Sequence, residues 1–176
     1  MSFRMDEDIL EVRESEISGK GAFAKRNISK GERICFMQGK LCTIDEMIIL
    51  VDSDLEEGSD PLGVDDEIYI DLDELYRSIN HSCKPNAFLR GRNELIAIRN
   101  INKDEEITYD YSTTMDDNSK KIEVGDGELW SMKCNCGKDN CRGVIDQFRT
   151  LPAEIQEYYT KNKFAPDFIL RKFSKK

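Results

Sequence analysis

Arg77-Ser78-Ile79-Asn80-His81-Ser82-Cys83-Lys84-Pro85-Asn86 is the run from which the rest of the chain is read. It holds the only histidine of the 176 residues, together with a cysteine and two asparagines. So many short polar side chains in a row suit a tight buried loop, because Asn and Ser bond to nearby backbone groups and stabilise turns. Pro85 pushes Lys84 away from helical geometry. Ile79 on one side and Ala87-Phe88-Leu89 on the other anchor the loop in a core. Taken alone, the run reads as an ordinary polar turn with a satisfied histidine.

Three further stretches change that reading. Glu105-Glu106-Ile107-Thr108-Tyr109-Asp110-Tyr111 follows about twenty residues later. Ser18-Gly19-Lys20-Gly21-Ala22-Phe23 precedes it as a glycine-punctuated turn, and Cys134-Asn135-Cys136-Gly137-Lys138-Asp139-Asn140-Cys141 comes after it as Cys-x-Cys-x4-Cys. Asn-His-Ser-Cys-x-Pro-Asn with Glu-Glu-Ile-Thr-Tyr-Asp-Tyr resembles the two signature motifs of SET-domain protein lysine methyltransferases. The other two stretches match that family in the same order, and the resemblance covers residues 9 to 148.

The resemblance implies a mostly β fold, β-clip-like, made of small sheets with short helices. In it the central loop and the Tyr-Asp-Tyr segment form a pseudoknot. It implies a SET domain over residues 9–113 with a variable insert at about 42–67, a post-SET zinc segment over 128–148, and a helical tail over 149–176. The implied reaction moves a methyl group from S-adenosylmethionine to a lysine of a histone, histone-like or other basic protein. Gly19, Lys20 and Gly21 would hold the cofactor, with Lys20 opposite its carboxylate, a pairing that makes physical sense. Asn80 and His81 would lie at the cofactor, so the histidine is not read as a general base. Tyr111 is the candidate catalytic tyrosine, beside the transferring methyl. Tyr69 is a second channel tyrosine that also touches the cofactor. Tyr109 occupies a position where the family carries phenylalanine or tyrosine, and a hydroxyl there favours mono- or dimethylation over trimethylation.

Structural zinc takes four ligands in a tetrahedron, and Cys-x-Cys-x4-Cys offers three. Free thiols in a glycine-rich turn are the alternative. The family supplies the fourth ligand from the central loop, here Cys83, so Cys83, Cys134, Cys136 and Cys141 are the expected set. Trp130 and Met132 would then wall the cofactor or lysine channel. Cys35 and Cys42 are expected to pack as small hydrophobes.

The chemistry needs orientation and a neutral amine rather than a nucleophilic side chain. Free lysine has a pKa of about 10.4, so a proton must leave before attack, and a dry aromatic channel favours its loss. Acidic residues are therefore expected along an outer groove and not at the channel floor. Residues 52 to 67 carry eight acidic residues and no basic one, which reads as a solvated loop. The resemblance instead implies an insert here that walls the peptide groove, where an acidic wall would attract a basic peptide.

Elsewhere Thr43-Ile44-Asp45-Glu46 has capping-box spacing ahead of a short helix. Gly91-Arg92-Asn93 separates two strand-like runs as a hairpin turn. Thr150, as N-cap, opens a tail helix carrying Ile155, Tyr158 and Tyr159, with a frayed basic end from Lys172.

The net charge of −9 speaks against general nucleic-acid binding and for a lysine-rich partner. No run is long and apolar enough for a membrane. The first residues lack a signal-peptide pattern, so the expected location is intracellular, cytoplasmic or chromatin-associated, with reduced thiols. A catalytically weak SET module acting as a peptide-binding or interaction domain is the competing reading.

Overall fold

The computed structural model describes residues 8–52, 61–117 and 130–174. Within them the chain builds small sheets rather than one large one. Strands β1 (Leu10–Glu14) and β2 (Lys20–Ala24) pair antiparallel. Leu10, Ala22 and Ala24 turn inward from this ribbon. β3 (Arg33–Phe36), β4 (Gly39–Thr43) and helix α1 (Ile44–Asp52) follow. Thr43 caps α1 reciprocally: its N–H donates to Glu46 Oε2 at 2.8 Å and its Oγ1 accepts from the Glu46 N–H at 3.3 Å.

β5 (Pro61–Asp65) and β6 (Ile68–Leu72) join β4 in a sheet ordered β4-β6-β5. This corrects part of the solvated-loop expectation. Leu62, Gly63 and Val64 are buried, and β5 pairs with β6 along its length. The two apolar side chains supply the burial that the surrounding acids conceal in the sequence. Gly63 is required here, since a Cβ would meet the Thr114 carbonyl oxygen at 2.2 Å. Residues 53–60 of the acidic run lie outside the described residues.

After α2 (Glu74–Arg77) come β7 (Asn80–His81), β8 (Ala87–Arg90) and β9 (Glu94–Ala97). β8 and β9 form the expected hairpin, and β3 adds to give a sheet ordered β3-β9-β8. β10 (Thr108–Tyr109) returns to lie parallel to β7, with Thr108 opposite Asn80 and Tyr109 opposite His81. The two motifs are therefore side by side, the contact that the pseudoknot expectation requires. A 3-10 turn, Tyr111–Thr114, follows at once. Leu89, Leu95, Ile79 and Ile107 close the main core beneath this pair.

β11 (Met132–Lys133) and β12 (Val144–Ile145) frame the cysteine run. The tail is helical, but in two pieces, α3 (Ala153–Asn162) and α4 (Asp167–Phe173). Thr150 does not cap α3. It lies in a 3-10 turn, and its hydroxyl donates to the Gln147 carbonyl at 2.8 Å. Pro152 holds the cap position, while Gln156 Nε2 donates to the Leu151 carbonyl at 2.8 Å. Lys163, at φ 57°, ends α3 in the left-handed region. Lys172 is not frayed: it belongs to α4 and pairs with Asp66 and Asp116. Phe148, Leu151, Tyr159, Phe168 and Ile169 form a second core under the two helices.

Candidate active site

The β7–β10 pair fixes the centre of the site. His81 is buried, and its Nδ1 accepts the Tyr111 N–H at 3.1 Å. The ring proton therefore belongs on Nε2, which faces Cys83 Sγ at 3.4 Å. Burial holds the imidazole down to about 4, against the pull of Asp110, so the ring is neutral near pH 7. Both ring nitrogens are thus committed within the protein, to the Tyr111 backbone and to a cysteine.

Tyr111 stacks at 5.5 Å edge-on to His81 and at 4.8 Å from the Tyr109 ring. Its hydroxyl donates to the Ile79 carbonyl at 2.8 Å. Tyr109 is 4 % exposed, and among the described residues its hydroxyl has no hydrogen-bond partner. Burial pushes its pKa well up, so it stays protonated. A buried hydroxyl without a partner forfeits roughly 1–3 kcal/mol, which marks it as a place for a ligand atom or water.

Asn80 ties this centre to the glycine turn. Its Nδ2 donates to the Lys20 carbonyl at 2.9 Å and lies 3.3 Å from that of Ser18. Gly19, Lys20 and Gly21 thus sit against Asn80 through backbone contacts. The Lys20 ammonium itself is exposed and pairs with Glu74 at 2.7 Å. Tyr69 stands apart from the other tyrosines. It packs with Cys42 and Ile44, and its hydroxyl donates to the Asp117 carboxylate. Cys35 and Cys42 are buried among apolar neighbours, as their reading required.

Ile17, Ser18, Asn80, His81, Tyr111, Met132, Lys133, Asn135 and Ile145 line one cleft of about 80 Å³. Its apolar ends, its amides and its single ammonium are the right kinds of group for a nucleoside bearing an amino-acid tail. Cofactor-sized ligands fill several hundred Å³, more than this cleft encloses. Trp130 packs with the cysteine cluster, and only Met132 of the pair reaches this cleft.

The four expected cysteines converge. The sulfurs of Cys83, Cys134, Cys136 and Cys141 lie within 4.8 Å of one another, and Cys83 and Cys134 are 3.7 Å apart. A tetrahedral zinc with Zn–S of about 2.3 Å places its sulfurs about 3.8 Å apart, so the set fits that ion. Without a metal, burial pushes the Cys83 thiol up to about 11, with the Arg142 amide and guanidinium pulling it back. A divalent cation would supply the field that ionises the four thiols. Backbone N–H groups of Arg142 and Gly143 already point at Cys83 and Cys141 sulfurs, each at 3.4 Å.

Sequence reasoning missed Asp110 as a junction. Its carboxylate is 1 % exposed and accepts both Arg142 guanidinium nitrogens, at 2.7 and 2.8 Å. It also accepts the Tyr159 hydroxyl at 2.8 Å and the Ser112 N–H at 3.1 Å. The zinc segment, α3 and the Tyr111 turn all meet on it. An Arg immediately after the last cysteine was the available signal. A second cavity, of about 360 Å³, has an acidic wall of Asp65, Asp66, Glu67, Asp116 and Asp117, against which Arg149 and Lys172 lie. Asp110 and Asp117 are buried carboxylates, each with committed partners.

Small sheets, a parallel pair bearing the Asn-His and Tyr-Asp-Tyr runs, and a four-thiol cluster beside them define a SET-type architecture. The SET domain family model matches residues 19–112, and the chain belongs to this family. Histone-lysine N-methyltransferase 2B of Homo sapiens is 34% identical over 77% of this chain and 5% of its own length. Histone H3-lysine(4) N-trimethyltransferase ATX1 of Arabidopsis thaliana is 31% identical over 84% of this chain and 14% of its own. This chain therefore spans a small part of the relatives it matches. The solved structure of KRYPTONITE with mCHH DNA, an H3(1-15) peptide and SAH superposes at a TM-score of 0.57. It is 27% identical and covers 77% of this chain and 29% of that one. No helix among the described residues is long and apolar enough to cross a membrane.

Proposed function

We propose that this chain is a protein-lysine N-methyltransferase that uses S-adenosylmethionine on a histone, histone-like or other basic protein. The observation that carries the reading is the stacked pair of buried Tyr109, whose hydroxyl has no partner among the described residues, and partly buried Tyr111, set beside the Asn80–His81 strand and its cleft. The names of the relatives, and the SAH and histone peptide in the neighbouring structure, support it.

The donor supplies a methyl group on a positively charged sulfur, and the lysine nitrogen displaces it. The chain's own work is to orient the amine and keep it neutral. Two tyrosine rings make a poorly solvated wall that disfavours an ammonium. The Tyr111 hydroxyl, held by the Ile79 carbonyl, orients the amine and polarises the methyl group. The Tyr109 hydroxyl takes the free side of the amine, leaves less room for a second or third methyl, and sets the product at mono- or dimethyl-lysine. Asn80, His81 and the Gly19–Gly21 turn hold the donor. Tyr69 braces the substrate side through Asp117. Cys83, Cys134, Cys136 and Cys141 bind structural zinc. Residues 9–113 act as the SET domain, 128–148 as the post-SET segment and 149–176 as a supporting tail. The acidic cavity attracts the lysine-rich substrate. The net charge of −9 disfavours direct contact with nucleic acid, and such a substrate class is met inside the cell, in the cytoplasm or on chromatin.

The test is methyl transfer from labelled S-adenosylmethionine to a basic protein extract, read by mass spectrometry. Label on lysine is expected, and Tyr111→Phe should lower the rate on the order of 10²-fold or more, the scale on which losing one preorganised polar group slows an enzyme. A zinc-loaded protein that binds no cofactor would remove the enzymatic reading.

A further inference from the structure

Glu106 stands in the Glu-Glu-Ile-Thr-Tyr-Asp-Tyr motif without a part in the chemistry above. Its neighbours hold β2 in place: the Ile107 N–H donates to the Ala22 carbonyl at 2.8 Å and the Ala24 N–H to the Glu105 carbonyl at 3.0 Å. The Glu106 side chain then reaches across β2 toward the turn before it. Its Oε1 accepts the Ser15 hydroxyl at 2.7 Å and the Asn80 amide at 2.9 Å. The Ser15 hydroxyl oxygen in turn accepts the Ile17 N–H at 3.0 Å.

The Asn80 amide nitrogen has two hydrogens and four acceptors within reach, at Ser15, Ser18, Lys20 and Glu106. The two at 2.9 Å, the Lys20 carbonyl and the Glu106 carboxylate, are its best partners. Glu106 thus fixes which way the Asn80 amide faces and, through Ser15, where Ile17 and Ser18 lie. Asn80, Ile17 and Ser18 all line the cleft, and Glu106 does not.

The carboxylate also explains a glycine. A Cβ on Gly21 would fall 2.4 Å from Glu106 Oε1 and 2.9 Å from its Cδ. The second glycine of the turn leaves space for Glu106 and for the Ser15 Cβ, which would lie 2.9 Å from the same added carbon.

We infer that Glu106 is a positioning residue that clamps the residue 15–20 turn onto Asn80 and so sets cofactor affinity without entering the methyl-transfer step. The inference rests on the cleft being the S-adenosylmethionine site.

Calorimetric binding of S-adenosylmethionine to the full chain tests it, with the Michaelis constant for the cofactor measured separately from kcat. A hydrogen bond to a charged group is worth about 10- to 100-fold. Glu106→Ala should therefore weaken cofactor binding by about that factor, with kcat at saturating cofactor nearly unchanged. Glu106→Gln keeps an acceptor and should recover most of the loss. Gly21→Ala should weaken binding on its own, since the added Cβ meets Glu106 Oε1 at 2.4 Å and the Ser15 Cβ at 2.9 Å. Zinc content and melting temperature serve as folding controls. Unchanged binding in a folded Glu106→Ala protein overturns the inference, as does a loss confined to kcat. Both leave the site reading standing. If the unmutated chain binds no cofactor, the site reading falls and this inference falls with it.

Discussion

Two single residues carry sharp expectations. Tyr109 buries a hydroxyl that nothing in the described residues satisfies. Tyr109→Phe should therefore raise the methylation state of the product, seen as di- or trimethyl-lysine by mass spectrometry, while stability to urea does not fall. Trimethyl-lysine from the unmutated chain would end that argument. Asp110 is the opposite case, a buried carboxylate with every oxygen engaged. Asp110→Ala would strand the Arg142 guanidinium, which is 11% exposed, beside an apolar gap. Breaking one side of a buried pair costs about 3–5 kcal/mol, so denaturant unfolding should show a loss of that order. Both residues sit in a motif that is plain in the sequence. What they touch is not, because Arg142 and Tyr159 lie 32 and 49 residues further on.

The elements divide by how local their causes are. The β8–β9 hairpin and the capped start of α1 were legible, since a turn triplet and a Thr-x-x-Glu pair act within a few residues. β5 was not: two apolar side chains among acids look like a loop until β6 and the Thr114 backbone close over them. The tail was legible as helical but not as two helices, because the break at Lys163 comes without a glycine. α4 shows which of its contacts matter. Ile169 is fully buried, so Ile169→Ala should cost about 2–5 kcal/mol. Arg171 pairs with Asp65 on the surface, at 2.8 Å, with both side chains about half exposed. Arg171→Ala should therefore cost under about 1 kcal/mol in the same unfolding assay.

Across the molecule, the cysteine site holds distant segments together. It joins the central loop to residues 134–141, and His81 links the same cysteine to the Tyr111 backbone. Purified protein is expected to carry a single zinc per chain by elemental analysis. Removing it with a chelator should raise amide exchange across β11 and β12 and weaken cofactor binding, while the β8–β9 sheet keeps its protection. Equal exchange before and after chelation would show that the thiols brace nothing. The convergence of the thiols was legible only through the family resemblance, as three ligands are local and the fourth is 51 residues away. The Asp110 junction has a further consequence in time. A ribosome makes the chain from its first residue, and Asp110 emerges well before Arg142 and Tyr159 exist. Until residue 159 has been added, the carboxylate has neither its countercharge nor its phenol, and the Tyr111 turn has no fixed floor. The nascent chain therefore carries an unfinished site while the sheets before it are already able to form, and the site completes only after the tail is made.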